Sequence, residues 1–291
     1  MNPGLYFRSG RCPRIVLLMT LCVAAPTAVV AEEPAAAGAV DYLRQAYRAE
    51  AEKCAFLRAD GQPLTLLKEP IMRWTNDGDW SGDVFAWTYR GRPEVIGCIL
   101  SGPGASNLRY IYDEFHLLAE KPIAAATIQD NRRWEPAEGL KVERLADAPK
   151  PADRASGRLV QMREMARSFK AYMHAETTWE LRLLTQPLMR YGDEQSDVID
   201  GALFAYVWTK GTDPELILLL ECRRDDQELA WCFAPARFSN RGVWLKRADK
   251  DVWGVEGHQE PVGKLTTKTY TTAFARSMPD KRESRGVAPG Q

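Results

Sequence analysis

The chain has 291 residues, 45% apolar and 10% aromatic, enough to bury a real core in one large or two small domains. Its 39 basic and 39 acidic residues cancel, and losing Arg8, Arg11 and Arg14 with residues 1–31 leaves 36 basic against 39 acidic. That balance gives no electrostatic reason to expect nucleic acid or an anionic membrane as a partner.

Residues 1–31 read as a signal peptide. Arg8, Arg11 and Arg14 form a basic start, Ile15 to Val30 is apolar, and Val29-Val30-Ala31 suits a signal peptidase. The apolar run falls short of the roughly 20 residues of a spanning helix. No second such run follows. The mature chain is therefore expected in the periplasm or outside the cell, with no membrane span after cleavage. Export leaves Cys54, Cys98, Cys222 and Cys232 in an oxidising compartment. They read as isolated buried thiols, with a Cys54–Cys98 bridge as the alternative. Cys222 and Cys232 flank the turn Arg223–Glu228 and fall on different faces of its hairpin, which argues against a bond.

Residues 32–40 are alanine-rich and expected as a disordered lead-in. A helix follows over about Asp41–Leu57, with Leu43, Tyr47, Cys54 and Leu57 on one face. Leu64–Leu67 and Met72–Trp74 are short strand candidates around Pro70, which cannot donate to a ladder. Asp83–Tyr89 alternates Phe85, Trp87 and Tyr89 with Val84, Ala86 and Thr88. A tight turn at Arg90–Pro93 leads to Glu94–Leu100, and Leu108–Leu118 completes four strands. Residues 135–157, with three prolines, read as a linker. A second helix is expected over about Arg158–His174. Strands are expected at Trp179–Tyr191, Gly201–Trp208, Glu215–Cys222, Leu229–Phe238 and Trp244–Trp253. Residues 254–276 form an extension with a possible strand at Lys268–Ala275, and 277–291 are expected to be disordered.

The second half echoes the first. Pro70-Ile71-Met72-Arg73-Trp74 recurs as Pro187-Leu188-Met189-Arg190-Tyr191, 117 positions later. Gly82–Trp87 matches Gly201–Tyr206 at a shift of 119, and Pro93–Ile96 matches Pro214–Ile217 at 121. The echo implies an α+β fold, a tandem duplication of a helix followed by a four-stranded antiparallel meander. The units are residues 41–134 and 158–253, their sheets packed together or joined into one curved sheet.

Chemistry is thinly marked. Phe85, Trp87, Tyr89 and Tyr112 are ligand-binding candidates if their rings line a groove, and core residues otherwise. Arg73 with Glu94 and Arg190 with Glu215, present in both halves, are expected as structural ion pairs. Glu114 and His116 share a strand face and are weak acid/base candidates; at a shift of 119 the second half has Cys232-Phe233-Ala234-Pro235 in place of Asp113–His116. Two such ligands do not make a metal site. There is no nucleophile elbow, phosphate-binding glycine loop, paired-histidine zinc signature, Cys-x-x-Cys or dinucleotide fingerprint. No cofactor is implied.

The strings Pro187–Tyr191, Gly201–Tyr206, Gly211–Glu215 and Glu114–His116, with the helix Leu159–Phe169, resemble a group of exported planctomycete proteins of unknown function. That resemblance implies a bacterial exported origin and carries no chemistry. The chain is thus expected to be an exported non-catalytic binding or scaffold protein for a cell-envelope ligand or protein. A hydrolase of envelope or polysaccharide material using Glu114 and His116, and a periplasmic lipid carrier, are the alternatives.

Overall fold

The computed structural model describes residues 34–129, 132–225, 228–259 and 265–281; the signal peptide read over residues 1–31 lies outside the described residues. Helix α1 (Pro34–Lys53) precedes short strands β1 (Thr65–Leu66) and β2 (Met72–Thr75). Three long strands follow: β3 (Ser81–Tyr89), β4 (Arg92–Pro103) and β5 (Leu108–Leu117). A ribbon of β6 (Ala126–Gln129) and β7 (Arg132–Trp134), then β8 (Glu143–Arg144), lead to α2 (Ala155–Arg167). The second half runs β9 (Phe169–His174), β10 (Thr178–Leu183), β11 (Met189–Tyr191), β12 (Val198–Val207), β13 (Pro214–Asp225), β14 (Glu228–Arg237), β15 (Gly242–Arg247) and β16 (Lys250–Val255). The last strand is β17 (Tyr270–Pro279).

A six-stranded sheet has the order β1-β3-β4-β5-β17, with β2 also on β3. A nine-stranded sheet has the order β16-β15-β9-β10-β12-β13-β14-β8, with β11 also on β12. Alternation gives each sheet two buried faces. One face of the first sheet packs on α1, joining Leu43, Tyr47 and Ala51 to Phe85, Trp87 and Phe115. Its other face meets the second sheet, where Val84, Ile96 and Cys98 share a core with Leu203, Ala205, Ile217 and Leu219. The second sheet sends Ala171, Leu181, Phe204, Leu218 and Leu245 to a third core around Met162 and Met165 of α2. Tyr206 fastens that helix by donating to the Ala166 carbonyl at 2.7 Å.

The expected α+β duplication of helix plus meander is overturned. Strand accounts for 52% and helix for 11%, with two helices among the described residues, and the sheet curls into a half-barrel. Two features break the expected units. Residues 169–174, expected as helix, leave α2 at Ser168 and enter the second sheet between β15 and β10. There Phe169, Ala171 and Met173 are buried while Lys170 and His174 are exposed, a period of two that suits a strand. The first sheet gains β17 from the far end of the chain, including Ser277–Pro279 of the tail expected to be disordered.

The sequence echo has a narrower, local meaning in strand register. Met72 faces Val84 as Met189 faces Leu203, and both halves have an irregularity after Trp87 or Tyr206. Register also corrects one alignment: Ile99 faces Asp113 and Leu220 faces Phe233, so Phe233–Ala236, not Cys232–Pro235, stand where Asp113–His116 do.

Other boundaries move as well. Helix α1 starts at Pro34, inside the expected disordered lead-in, and ends at Lys53. The expected linker over residues 135–157 is tied down: Leu140 donates to the Ala119 carbonyl at 2.7 Å, β8 pairs with β14, and Leu140 and Leu145 are buried. Trp179–Tyr191 is two strands, β10 and β11, interrupted around Pro187. Of the four cysteines none forms a disulfide. Cys54 and Cys98 lie on opposite sides of the first sheet, so they do not meet. Burial pushes the Cys54 thiol up to about 12 and the Cys222 thiol up to about 11.

Gly97 shows how the first core is made. Phe56, Trp87, Phe115 and Trp134 form an edge-and-stack cluster with ring centroids 5.1–6.3 Å apart. A Cβ at Gly97 would lie 2.5 Å from the Phe115 ring and 3.1 Å from that of Trp87. Gly97→Ala is expected to lower stability by about 2 kcal/mol, the range of overpacking. An unchanged urea midpoint would show that the rings can yield.

Candidate functional site

A cleft of about 910 Å³ joins the two halves. Its first wall comes from residues 58–60 after α1, the β3–β4 turn, and residues 120–123 after β5. The second wall comes from the β11–β12 loop, residues 192–198, and from Arg223 on β13. The turn residues Arg90 and Gly91 have φ of 50° and 82°, the left-handed pair of a two-residue hairpin. That turn sets Tyr89, Arg90 and Arg92 at the rim. At the opposite wall Gly192 has φ of 143°, and a Cβ there would lie 2.6 Å from the Ile199 carbonyl.

Behind the cleft lies a buried charge network. Glu221, 1% exposed, sits in the apolar strand β13. Its carboxylate accepts from Tyr191 Oη at 2.7 Å, Arg92 Nε at 3.0 Å and Arg223 Nε at 2.7 Å. Burial pushes the Glu221 carboxyl up, but Arg92, Arg223 and Tyr191 outweigh it and hold the group below the usual range. Arg223 reaches on to Glu120 at 2.6 Å. Arg92 spans the two sheets, donating through Nη1 to the Pro93 and Leu118 carbonyls at 3.3 and 3.1 Å. The network therefore joins strand β4 of the first sheet to β13 of the second.

Two expected residues, Tyr89 and Glu94, fall at this cleft. The Arg58 guanidinium lies 4.1 Å above the Tyr89 ring centre, and Arg90 lies 5.3 Å from it. Glu94 sits between Arg58 Nη1 at 3.3 Å and Arg92 Nη1 at 3.6 Å. Burial raises the Glu94 carboxyl more than these arginines lower it.

The expected Arg73–Glu94 and Arg190–Glu215 pairs are replaced. Arg73 Nε lies 3.6 Å from Asp83, its cross-strand partner, and Nη2 lies 3.5 Å from Glu69. Arg190 bonds Asp200 at 2.9 and 2.7 Å, sharing it with Arg158. The reason is register: Asp83 faces Ile99, five positions along β4 from Glu94. Phe85 and Trp87 are wholly buried against α1, so these two rings face no ligand. Tyr112 packs with Trp80 and Phe274 on the first sheet, with centroids 5.7 Å apart.

Glu114 and His116 share a face of β5 as expected, but no hydrogen bond joins them among the described residues. Glu114 bonds Tyr270 Oη from β17, and His116 Nδ1 lies 2.7 Å from the Leu117 carbonyl. Burial pushes the Glu114 carboxyl up to about 8 and holds the His116 imidazole down to about 4. Both groups are therefore neutral near pH 7. Tyr270 also meets the His258 ring at 4.9 Å and the Arg237 guanidinium at 4.8 Å. Asp213 and Glu215 act electrostatically on this cluster, and burial raises both. His116 and Arg237 border a small pocket of about 180 Å³. Among the described residues no three His, Cys, Asp or Glu side chains are grouped as metal ligands, and no helix is long and apolar enough to cross a membrane.

Sequence reasoning missed Arg58, Arg92, Glu221 and Arg223. Glu221 carried a readable signal, a lone carboxylate in the apolar run Leu216–Cys222. Compared with protein-family models, curated proteins and solved structures, the chain matches none.

Proposed function

We propose that the protein is an exported, non-catalytic binding protein whose small ligand occupies the cleft between the two halves. The cleft carries this reading: its roughly 910 Å³ lies within the range of small-molecule sites, and both halves line it. The network of Glu221, Arg92 and Arg223 supports the reading by holding one wall against the other. The hydrolase alternative draws less support. Glu114 and His116 are each committed to another partner, and the imidazole's low affinity for protons makes it a poor base. The lipid-carrier alternative needs a large apolar cavity, and Met162, Met165 and Ala166 of α2 pack into the core on one face of the second sheet.

The test is a fragment screen against the isotopically labelled protein, followed by backbone amide shifts. Binders are expected to move Ala59, Ile123, Gln195 and Ser196. Ala59→Trp, which plugs the cleft from an exposed position, is expected to abolish those shifts while leaving the melting temperature near that of the parent. Binders that map elsewhere, or that survive the plug, would refute the reading.

A further inference from the structure

We infer that the cleft receives an oxyanion of its ligand, a phosphate or carboxylate group, between Arg58 and Arg92; this rests on the cleft being the binding site. Two guanidinium groups there have N–H groups with no acceptor. Arg92 Nη2 and Arg58 Nε are both enclosed and make no hydrogen bond. Arg58 Nε lies 3.5 Å from the Asp60 carboxylate without making a hydrogen bond to it. Several enclosed side-chain nitrogens make no hydrogen bond among the described residues, and two of them belong to neighbouring arginines in the wall of this one cleft.

Glu94 is the resident counter-charge, and it fits loosely. Its carboxylate lies between the two guanidinium groups at 3.3 and 3.6 Å, yet it hydrogen-bonds to neither. A charge-assisted fork would hold its oxygens about 2.8 Å from the nitrogens. Arg92 already bonds Glu221 and two carbonyls, so what is left over is its Nη2, with Nε of Arg58. A ligand oxyanion that enters between them gives their N–H groups the acceptor that Glu94 does not. Glu94 then competes with the ligand. Its buried position already disfavours its charged form. At the mouth of the cleft, Arg90 and Lys121 are exposed and add positive charge beside the first wall. Asp193 and Asp197 line the facing wall, so the anionic end of the ligand is directed to the arginine side.

The competition gives the test its sign. The full exported chain is titrated with inorganic phosphate, with succinate and with uncharged fragments, while the arginine Nε–H and cleft amide signals are followed. Phosphate or succinate is expected to shift the Arg58 Nε–H signal saturably, and whichever binds identifies the ligand's head group. Arg58→Gln, at a half-buried position whose guanidinium contacts Tyr89 and Glu94, is expected to weaken that binding at least about fivefold while the melting temperature reports any lost packing. Glu94→Gln is expected to tighten it several-fold, an outcome that a merely structural glutamate would not produce. Weaker or unchanged anion binding in Glu94→Gln would overturn the inference. Uncharged fragments that shift the cleft amides while neither anion does would overturn it too and leave the cleft reading standing. A cleft silent to every probe would sink both.

Discussion

Glu221→Ala is expected to destabilise the protein by about 3–5 kcal/mol, the cost of breaking a buried charge network from one side. The carboxylate is 1% exposed and accepts from three side chains. Without it Arg92 and Arg223 keep their charges in a place that water reaches poorly. Tyr191 also loses the acceptor of its hydroxyl. The loss is larger than that of a surface pair because the carboxylate the partners share is itself buried. The urea midpoint measures it. Replacing Glu221, Arg92 and Arg223 together by methionine is expected to recover much of the loss, since buried charge networks exchange with apolar groups at little net cost. A single variant within about 1 kcal/mol of the parent would show that the network contributes little.

Stability is expected to fall as pH rises from about 4.5 to about 8. Glu114 has its folded value near 8, against 4.5 for the unfolded chain. Between those values the folded protein holds a proton that the unfolded chain has lost. The contribution is thus fully present below about 4.5 and vanishes as pH rises through 8. Asp213 and Glu215, raised by the same burial, act in the same direction. His116 acts in the opposite direction: its contribution is present above 6.5 and is lost as pH falls through about 4. Glu114 is expected to remove on the order of 3 kcal/mol between about pH 6 and about pH 8. Glu114→Gln is expected to remove a large part of that slope, read from urea midpoints across the range. A parent protein whose stability stays level there, or a variant that keeps the parent slope, would refute the assignment.

Particular residues show where the sequence was legible. The alternation of Phe85 and Trp87 with Val84 and Ala86 revealed β3, because both faces of that strand are buried by different neighbours. Arg90-Gly91 revealed the hairpin, since its backbone demands left-handed dihedrals. Phe169 and Met173 misled. Their spacing after Met162 and Met165 suits a helix, and only pairing with β10 and β15 makes them strand. That pairing is non-local, so no window of sequence contains it. The duplication of Arg73 and Arg190 likewise suggested one shared partner type in both halves. The partner type is shared, an aspartate ten positions on in each half, Asp83 and Asp200, but it is not the expected glutamate. The cleft was hidden for a simpler reason. Arg58, Arg90 and Arg92 sit in charged turns that look like ordinary solvated surface until the second half closes over them.

The first sheet leaves β5 waiting for β17, which lies about 150 positions downstream. During synthesis, β5 is made well before the strand that completes its ladder, and until then its long edge is open. The N-terminal half therefore cannot finish folding while the ribosome is still at work on the C-terminal half. A nascent chain released before Tyr270 would present that raw edge to any neighbour. The closing strand thus ties the final fold of the first half to synthesis of residues 270–279.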